Sequence, residues 1–317
     1  MTLPRPLRLA LLGLASLLAL LLALLYGLTW RPAERAAATA GCSAPAPVLQ
    51  PGQALKVLTW NLRHLGGDAD GGLAPSLDEL ARVLREERPD IVLLQELHDG
   101  AQTRDRQDPL ALLQARLDEG YPCSSQAFYW KAPLTLQPPR LGRIGLKLAT
   151  LSRYHIESAE RVQLPRRPGN PLLQAFAARP ALLVSYLPMR GGGRLTAINT
   201  QLDAFAPGDD TQRRQLAATR RLLAPLQDAG ALWLLGGDFN RTPPGQEARR
   251  PRADDGELRR WAEHYSMISS PEQAGSLERL VHSPRLTRLD AQASRLDAEA
   301  LSGQRPLLAR LLLPALD

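Results

Sequence analysis

The stretch that decides the fold is Leu232-Trp233-Leu234-Leu235-Gly236-Gly237-Asp238-Phe239-Asn240. An apolar run of strand length ends in two glycines, then in a carboxylate and an amide two residues apart. Two other strand-like segments end in a similar way. Residues 56–59 lead into Trp60-Asn61, and residues 90–94 lead into Gln95-Glu96. Polar groups at strand ends, carried on a rigid sheet, are a common way to build a site. These side chains suit a hard cation and a phosphate. Carboxylate and amide oxygens hold Mg²⁺, and an Asp accepts a proton from water.

The ordered set Thr59-Trp60-Asn61, Gln95-Glu96 and Gly237-Asp238-Phe239-Asn240 resembles the endonuclease/exonuclease/phosphatase superfamily, the DNase I-like metal-dependent phosphodiesterases. The resemblance runs over about residues 56–313. It implies an α/β fold, a four-layer α/β/β/α sandwich. It also implies roles: Asn61 and Glu96 as ligands of Mg²⁺ (or Mn²⁺), Asp238 as the group that orients or deprotonates the attacking water, and Asn240 as a donor to the phosphoryl oxygens. The implied substrate is a phosphodiester: a phospholipid head group, a nucleic acid or a nucleotide.

The likeness then breaks. The superfamily's Asn-Thr-His-like triplet reads Asn199-Thr200-Gln201, and its C-terminal Ser-Asp-His reads Ser302-Gly303-Gln304. Glu278 stands where an acidic residue precedes an apolar strand, as a group behind the site. The stretch 269–283 is short for the superfamily, so a substrate-facing loop is expected to be missing. An imidazole exchanges a proton near neutral pH and a Gln amide does not. General acid–base catalysis contributes about a hundredfold to ten-thousandfold, roughly 3–5 kcal/mol of barrier. Gln201 and Gln304 keep amide donors for a phosphate oxygen. His64, in the Gly-rich loop after Asn61, either approaches the phosphate or is an ordinary loop histidine. Three readings stay open: a phosphodiesterase with impaired or altered activity, a pseudoenzyme that binds a phosphorylated ligand or a protein partner, and an active enzyme whose missing base is replaced by another residue such as His64.

The N-terminus reads as a separate module. Arg5 and Arg8 precede an uncharged, Leu- and Ala-rich stretch, 9–30, closed by Tyr26 and Trp30. It matches the roughly 20 apolar residues that cross a bilayer and exceeds a cleavable signal's apolar region of about 7–15. The division expected is a membrane anchor over 1–30, an Ala/Pro-rich tether over 31–54 and the catalytic-type domain over 55–317. Arginines on both flanks leave orientation nearly undecided. The free amino terminus favours a single-pass anchor with the body periplasmic or otherwise extracytoplasmic. Cys42 and Cys123 either pair in such a compartment or are two unrelated thiols.

Lys+Arg 39 against Asp+Glu 32 gives a net charge of +7. No basic run interleaved with aromatics accompanies it, so the charge reads as background rather than a nucleic-acid footprint. Helices are expected at 76–87 (opened by a Ser76/Glu79 capping box), 109–117, 211–226 and 257–265. Strands are expected at 127–130, 144–152, 181–187 and 195–199, the last two joined by a Gly191-Gly192-Gly193 hairpin. Tyr129 is expected in the core, His98, His155, His264 and His282 away from the chemistry, and Asp203 near a substrate loop.

Overall fold

The computed structural model describes residues 4–27, 29–63, 65, 73–100, 107–135, 142–170, 174, 176–204, 208–240, 260–261, 263–268, 278–293 and 304–315. The strands run β1 (Arg35–Ala37), β2 (Thr39–Cys42), β3 (Ala54–Asn61), β4 (Ile91–His98), β5 (Cys123–Thr135), β6 (Gly142–Ser152), β7 (Ser158–Gln163), β8 (Ala181–Pro188), β9 (Arg194–Gln201), β10 (Leu232–Asp238), β11 (Ser266–Ile268), β12 (Glu278–His282), β13 (Thr287–Ala293) and β14 (Leu307–Leu312). They form two seven-stranded sheets, β1-β7-β8-β9-β10-β12-β11 and β13-β14-β3-β4-β6-β5-β2. The helices are α1 (Arg5–Gly27), α2 (Leu73–Glu87), α3 (Pro109–Arg116), followed by a 3₁₀ turn at Asp118–Gly120, and α4 (Thr211–Asp228).

Strand alternation explains the layers. On β3, Leu55 and Val57 face the other sheet, where they pack with Leu195, Ala197, Leu234 and Leu280. Leu58 and Trp60 face the opposite way, onto Leu77, Leu80 and Leu84 of α2 and Leu113 of α3. On β10, Leu232 and Leu234 join the layer between the sheets, while Trp233 and Leu235 pack against Leu216 and Leu223 of α4. Helices thus cover the outer face of each sheet, giving the four-layer sandwich expected.

Parallel pairing puts the site at one end. β3 runs parallel to β4, and β9 parallel to β10, so Asn61, Gln95-Glu96, Gln201 and Asp238 all lie at carboxyl ends. β12 is antiparallel to β10 and brings its first residue, Glu278, opposite Asp238. β14 is antiparallel to β3 and approaches the same end from Gln304.

Several expectations need correction. The 31–54 segment is not a tether. It supplies β1, paired with β7, and β2, paired with β5, so it adds an edge strand to each sheet. Its Ala and Thr residues carry no alternating pattern strong enough to betray strands that borrow their order from a neighbour. Cys42 and Cys123 are register partners on β2 and β5 and form a disulfide. Helix α2 begins at Leu73, before Ser76. Pro75 is tolerated there because first-turn N–H groups have no helical acceptor. Glu79 pairs with Arg82 at 2.6 Å, one turn on. The other elements appear, most extended by a few residues; of the 257–265 helix, 257–259 and 262 lie outside the described residues, as do 269–277.

Helix α1 is long and apolar enough to span a membrane, and its leucines are exposed on every face.

A carboxylate cluster at the carboxyl end of the sandwich

The carboxylates of Glu96 and Asp238 come from different sheets and meet on one amide. Asn61 Nδ2 donates to Glu96 Oε1 at 2.8 Å and to Asp238 Oδ2 at 2.7 Å. The oxygen of that amide, Asn61 Oδ1, accepts from the Arg63 backbone N–H at 2.8 Å. Asn61 and Asp238 are buried, each about 1% exposed, whereas Glu96 is half-buried. The sequence triplets thus converge, as their positions at strand ends required.

Glu96 reaches the cluster through a bulge. Strict alternation would place it beside Leu94, under α2. The β4–β6 register shifts between Leu94 and Leu97, so that Gln95 and Glu96 stand opposite one residue. Glu96 takes φ +57°, a left-handed conformation uncommon outside glycine. Its carboxylate swings inward, and Leu97 resumes the helix-facing side.

Gln201 donates from Nε2 to Glu96 Oε1 at 2.6 Å, while its Oε1 is buried without a partner among the described residues. The position expected to carry an imidazole therefore does abut the carboxylates, with an amide in its place. Asn240, at φ +43°, donates its backbone N–H to Asp238 Oδ1 at 2.7 Å and its side-chain amide to the Leu202 carbonyl at 2.6 Å. It clamps the β9 and β10 ends together as well as flanking Asp238. The Gln304 main-chain carbonyl accepts from the Trp60 indole at 2.9 Å, and its side-chain Oε1 is buried. His64 and Gly303 lie outside the described residues.

Glu278 sits behind the cluster, about 1% exposed. Its Oε1 accepts from the Asn61 backbone N–H at 2.6 Å, and Thr59 Oγ1 donates to Oε2 at 2.9 Å. Two residues that the motifs include but to which the sequence assigns no role join the two sheets beneath. Gln95 Nε2 donates to Asn199 Oδ1 at 2.8 Å, and Asn199 Nδ2 donates to the Leu94 and Ala149 carbonyls. The i, i+2 spacing of Asn199 and Gln201 on one strand face was the available signal.

Burial pushes the Asp238 carboxyl up to about 6; bonds from Asn240 and Asn61 oppose the rise, and the charge of Glu96 adds to it. Burial likewise pushes Glu278 up to about 8, with the charge of Asp238 adding to it. Both are carboxyls raised in the folded state. The fold keeps protons that the unfolded chain releases, so the stability these two groups contribute is fully present below about pH 4 and is lost as pH rises towards 8. In metal-free buffer, melting should weaken by about 2 kcal/mol or more between pH 5 and pH 8. Glu278→Gln, which keeps an acceptor for Asn61 and offers Thr59 a donor, should flatten most of that slope. An unchanged slope in the variant, followed by thermal melts, would count against a buried shared proton.

The remaining expectations fall outside the cluster. Tyr129 is in the core between the sheets. His98 is buried, with Gly100 N donating to its Nδ1 at 3.0 Å. His155 lies 3.4 Å from Cys42 Sγ, His264 is exposed, and His282 is buried against Ser283. The Asp203 N–H donates to Gln215 Oε1 of α4 at 2.8 Å.

Two mixed sheets flanked by helices, with oxygen donors at the joint carboxyl ends, define a DNase I-like sandwich. The chain belongs to the Endonuclease/Exonuclease/phosphatase family, whose profile matches residues 58–300. Enzymes of this family are generally dependent on a divalent metal and act on phosphodiester substrates. Among solved structures, an endonuclease/exonuclease/phosphatase from Beutenbergia cavernae DSM 12333 is 22% identical, with a TM-score of 0.63 over 82% of this chain and 72% of that one. The human Nocturnin catalytic domain, solved with a bound sulfate anion, is 15% identical, with a TM-score of 0.54 over 86% and 96%. TDP2 from Caenorhabditis elegans is 15% identical, with a TM-score of 0.51 over 83% and 75%. At these identities the likeness carries the fold. No curated protein matches the chain by sequence.

The residues present fit a hard divalent cation. The Glu96 and Asp238 carboxylates meet at one side chain, and the Gln201 amide oxygen, without a partner among the described residues, lies beside them; carboxylate and amide oxygens are the ligands such an ion takes.

Proposed function

We propose that this chain is a membrane-anchored, divalent-metal-dependent phosphodiesterase with lowered or altered turnover, its body on the extracytoplasmic side. The observation that carries the reading is the sharing of Asn61 Nδ2 between Glu96 and Asp238. Glu96 would hold Mg²⁺ or Mn²⁺ through its carboxylate, and Asn61 through its amide oxygen once the amide turns from the orientation in which Nδ2 faces the carboxylates. When bound, the ion supplies a Lewis acid for a phosphoryl oxygen. Asp238, raised towards neutrality by burial, is suited to orient the attacking water and take its proton. Asn240 lends an amide N–H to the phosphoryl oxygens. Gln201 holds Glu96 in place and offers no proton to a leaving group. Glu278 fixes Asn61 from behind. The apolar helix α1 supports the anchor, and the Cys42–Cys123 disulfide supports an oxidising compartment.

A second reading, a pseudoenzyme that binds a phosphorylated ligand or a protein partner, draws on the Gln201–Glu96 bond, where an amide fills the place of a proton-exchanging ring. The two separate on one assay. The detergent-solubilised full chain is given bis(p-nitrophenyl) phosphate with Mg²⁺, with Mn²⁺ and with EDTA. Slow nitrophenolate release that needs the metal is the expected result. No release, with phosphate binding that still needs the metal, would replace the first reading with the second.

A further inference from the structure

Away from the carboxylate cluster, arginines line a cavity of about 690 Å³. Its walls include Tyr26, Arg31, Arg166, Arg167, Arg179 and Arg214. Two of these arginines are neutralised: Arg167 pairs with Asp209 at 2.6 Å and Arg214 with Asp210 at 2.7 Å. Among the described residues, Arg31, Arg166 and Arg179 have no carboxylate partner. Burial, then the charges of Arg166 and Arg31, hold the Arg179 guanidinium below its usual value. Like charges gathered this closely are unfavourable unless an anion joins them, and guanidinium forks match phosphate oxygens.

The place of the cavity names the source of that anion. Tyr26 belongs to the last turns of α1, and the Arg31 guanidinium lies 3.4 Å from the centre of its ring. Just beyond, Trp30 packs edge-on against Phe128, and Arg161 lies over Trp30 at 5.1 Å. Phe128 is opposite Lys147, which is opposite Leu97, the residue after Glu96. Helix α1 therefore meets the body at the carboxyl end of β4, the end that holds the carboxylate cluster. Arg179 precedes β8, where Leu182 is opposite Thr200, the neighbour of Gln201. Arg179 and the cluster thus lie toward the same end of the sandwich, on neighbouring strands.

We infer that the Arg31–Arg166–Arg179 cavity binds the phosphate of an anionic membrane lipid at the bilayer surface. This rests on the reading of α1 as an anchor: a span ending at Tyr26 sets Arg31 at head-group level. It names the substrate class of the adjoining site as a phospholipid, with one head group held by arginines beside the carboxylates. Affinity here needs neither the metal nor turnover, so it is measured apart from them.

The test is native mass spectrometry of the full chain in a non-ionic detergent with EDTA. The probes are dioctanoyl phosphatidylglycerol, dioctanoyl phosphatidylcholine and inorganic phosphate. The phosphatidylglycerol should bind one per chain, at least about tenfold more tightly than either other probe. The Arg31→Gln/Arg179→Gln pair should weaken it about tenfold or more, as expected for lost charge-assisted hydrogen bonds. Arg166→Gln alone, a milder change, covers the case in which the pair does not fold. Arg288→Gln, on an exposed residue at the far end of the sandwich, should leave binding unchanged. Equal binding of both lipids, or lipid binding that survives the cavity variants, would overturn the inference. Phosphate binding as tight as the lipid would do the same and point to a soluble anion. Failure of hydrolysis in the phosphodiester assay leaves all these outcomes readable.

Discussion

Gly237→Ala is expected to lower the stability of the body by roughly 3–5 kcal/mol, enough to unfold most of it. A Cβ built at Gly237 would stand 1.9 Å from the Thr200 carbonyl oxygen. That oxygen is main chain, in the strand paired in register with Gly237, so no flexible group can yield. The backbone there also has φ +155°, which side-chain-bearing residues rarely adopt. Two neighbouring cases calibrate the claim. At Gly236 a Cβ would meet Leu93 Cδ1 at 2.5 Å and Leu280 Cδ2 at 2.8 Å, the far ends of side chains that can turn aside. Gly236→Ala should cost about 1–3 kcal/mol. At Gly52, φ +71° with nothing within 4 Å, only the conformational penalty of about 1 kcal/mol remains. Thermal melts should rank the three variants in that order. Equal losses at Gly237 and Gly52 would mean that β9 and β10 do not approach as closely as drawn. The two glycines that mark the motif thus have separate duties: Gly236 lets the sheets close beneath the cluster, and Gly237 lets two strands close beside it.

The Gly-Gly-Asp-Phe-Asn motif was legible because its cause is local. An apolar strand, two residues without side chains and two polar ones fix where Asp238 points, whatever lies elsewhere. Asn61 was legible for the same reason: with Leu55, Val57 and Thr59 on one face of β3, the period of two carries it to the inter-sheet side. Glu96 was legible as chemistry but not as geometry. Counting from Leu94 sends it under α2, and only the register shift against β6 turns it inward. That shift belongs to a pair of strands, so neither sequence alone displays it. The same limit hid β1 and β2. Arg35-Ala36-Ala37 and Thr39-Ala40-Gly41-Cys42 have little strand character of their own and are strands because β7 and β5 offer them free edges. The pairing of Cys42 with Cys123 follows from that register and stays undetermined without it. Gln201 was recognised by its motif, yet its bond to Glu96 depends on how far apart the sheets stand. The arginine cavity lay wholly beyond reach, since its walls come from the end of α1, the loop before β8, the loop after β7 and α4.

Two substitutions at the cluster should move turnover in opposite directions by the largest factors available to it. Asp238→Ala removes the only carboxylate that both Asn61 Nδ2 and the Asn240 N–H contact. Metal-dependent hydrolysis should fall by about a hundredfold to ten-thousandfold, to the background set by phosphate binding alone. Gln201→His should act the other way. An imidazole places its Nε2 at about the reach of the Gln amide nitrogen, which already lies 2.6 Å from Glu96 Oε1. The ring keeps that contact and adds a proton that exchanges near neutral pH. The carboxylate beside it favours the imidazolium, the form that protonates a leaving oxygen. Turnover of bis(p-nitrophenyl) phosphate should rise by about a hundredfold, most below pH 7, with Mg²⁺ still required. Gln201→Glu is the matched control: it sets a third carboxylate beside Glu96 and should gain nothing. If the histidine variant binds metal as before but turns over no faster, lost proton transfer at position 201 is not what limits this site. Gln304→His added to Gln201→His then asks whether the limit lies at the β14 side. A gain only in the double variant would mean that both strands must carry a ring before either one transfers a proton.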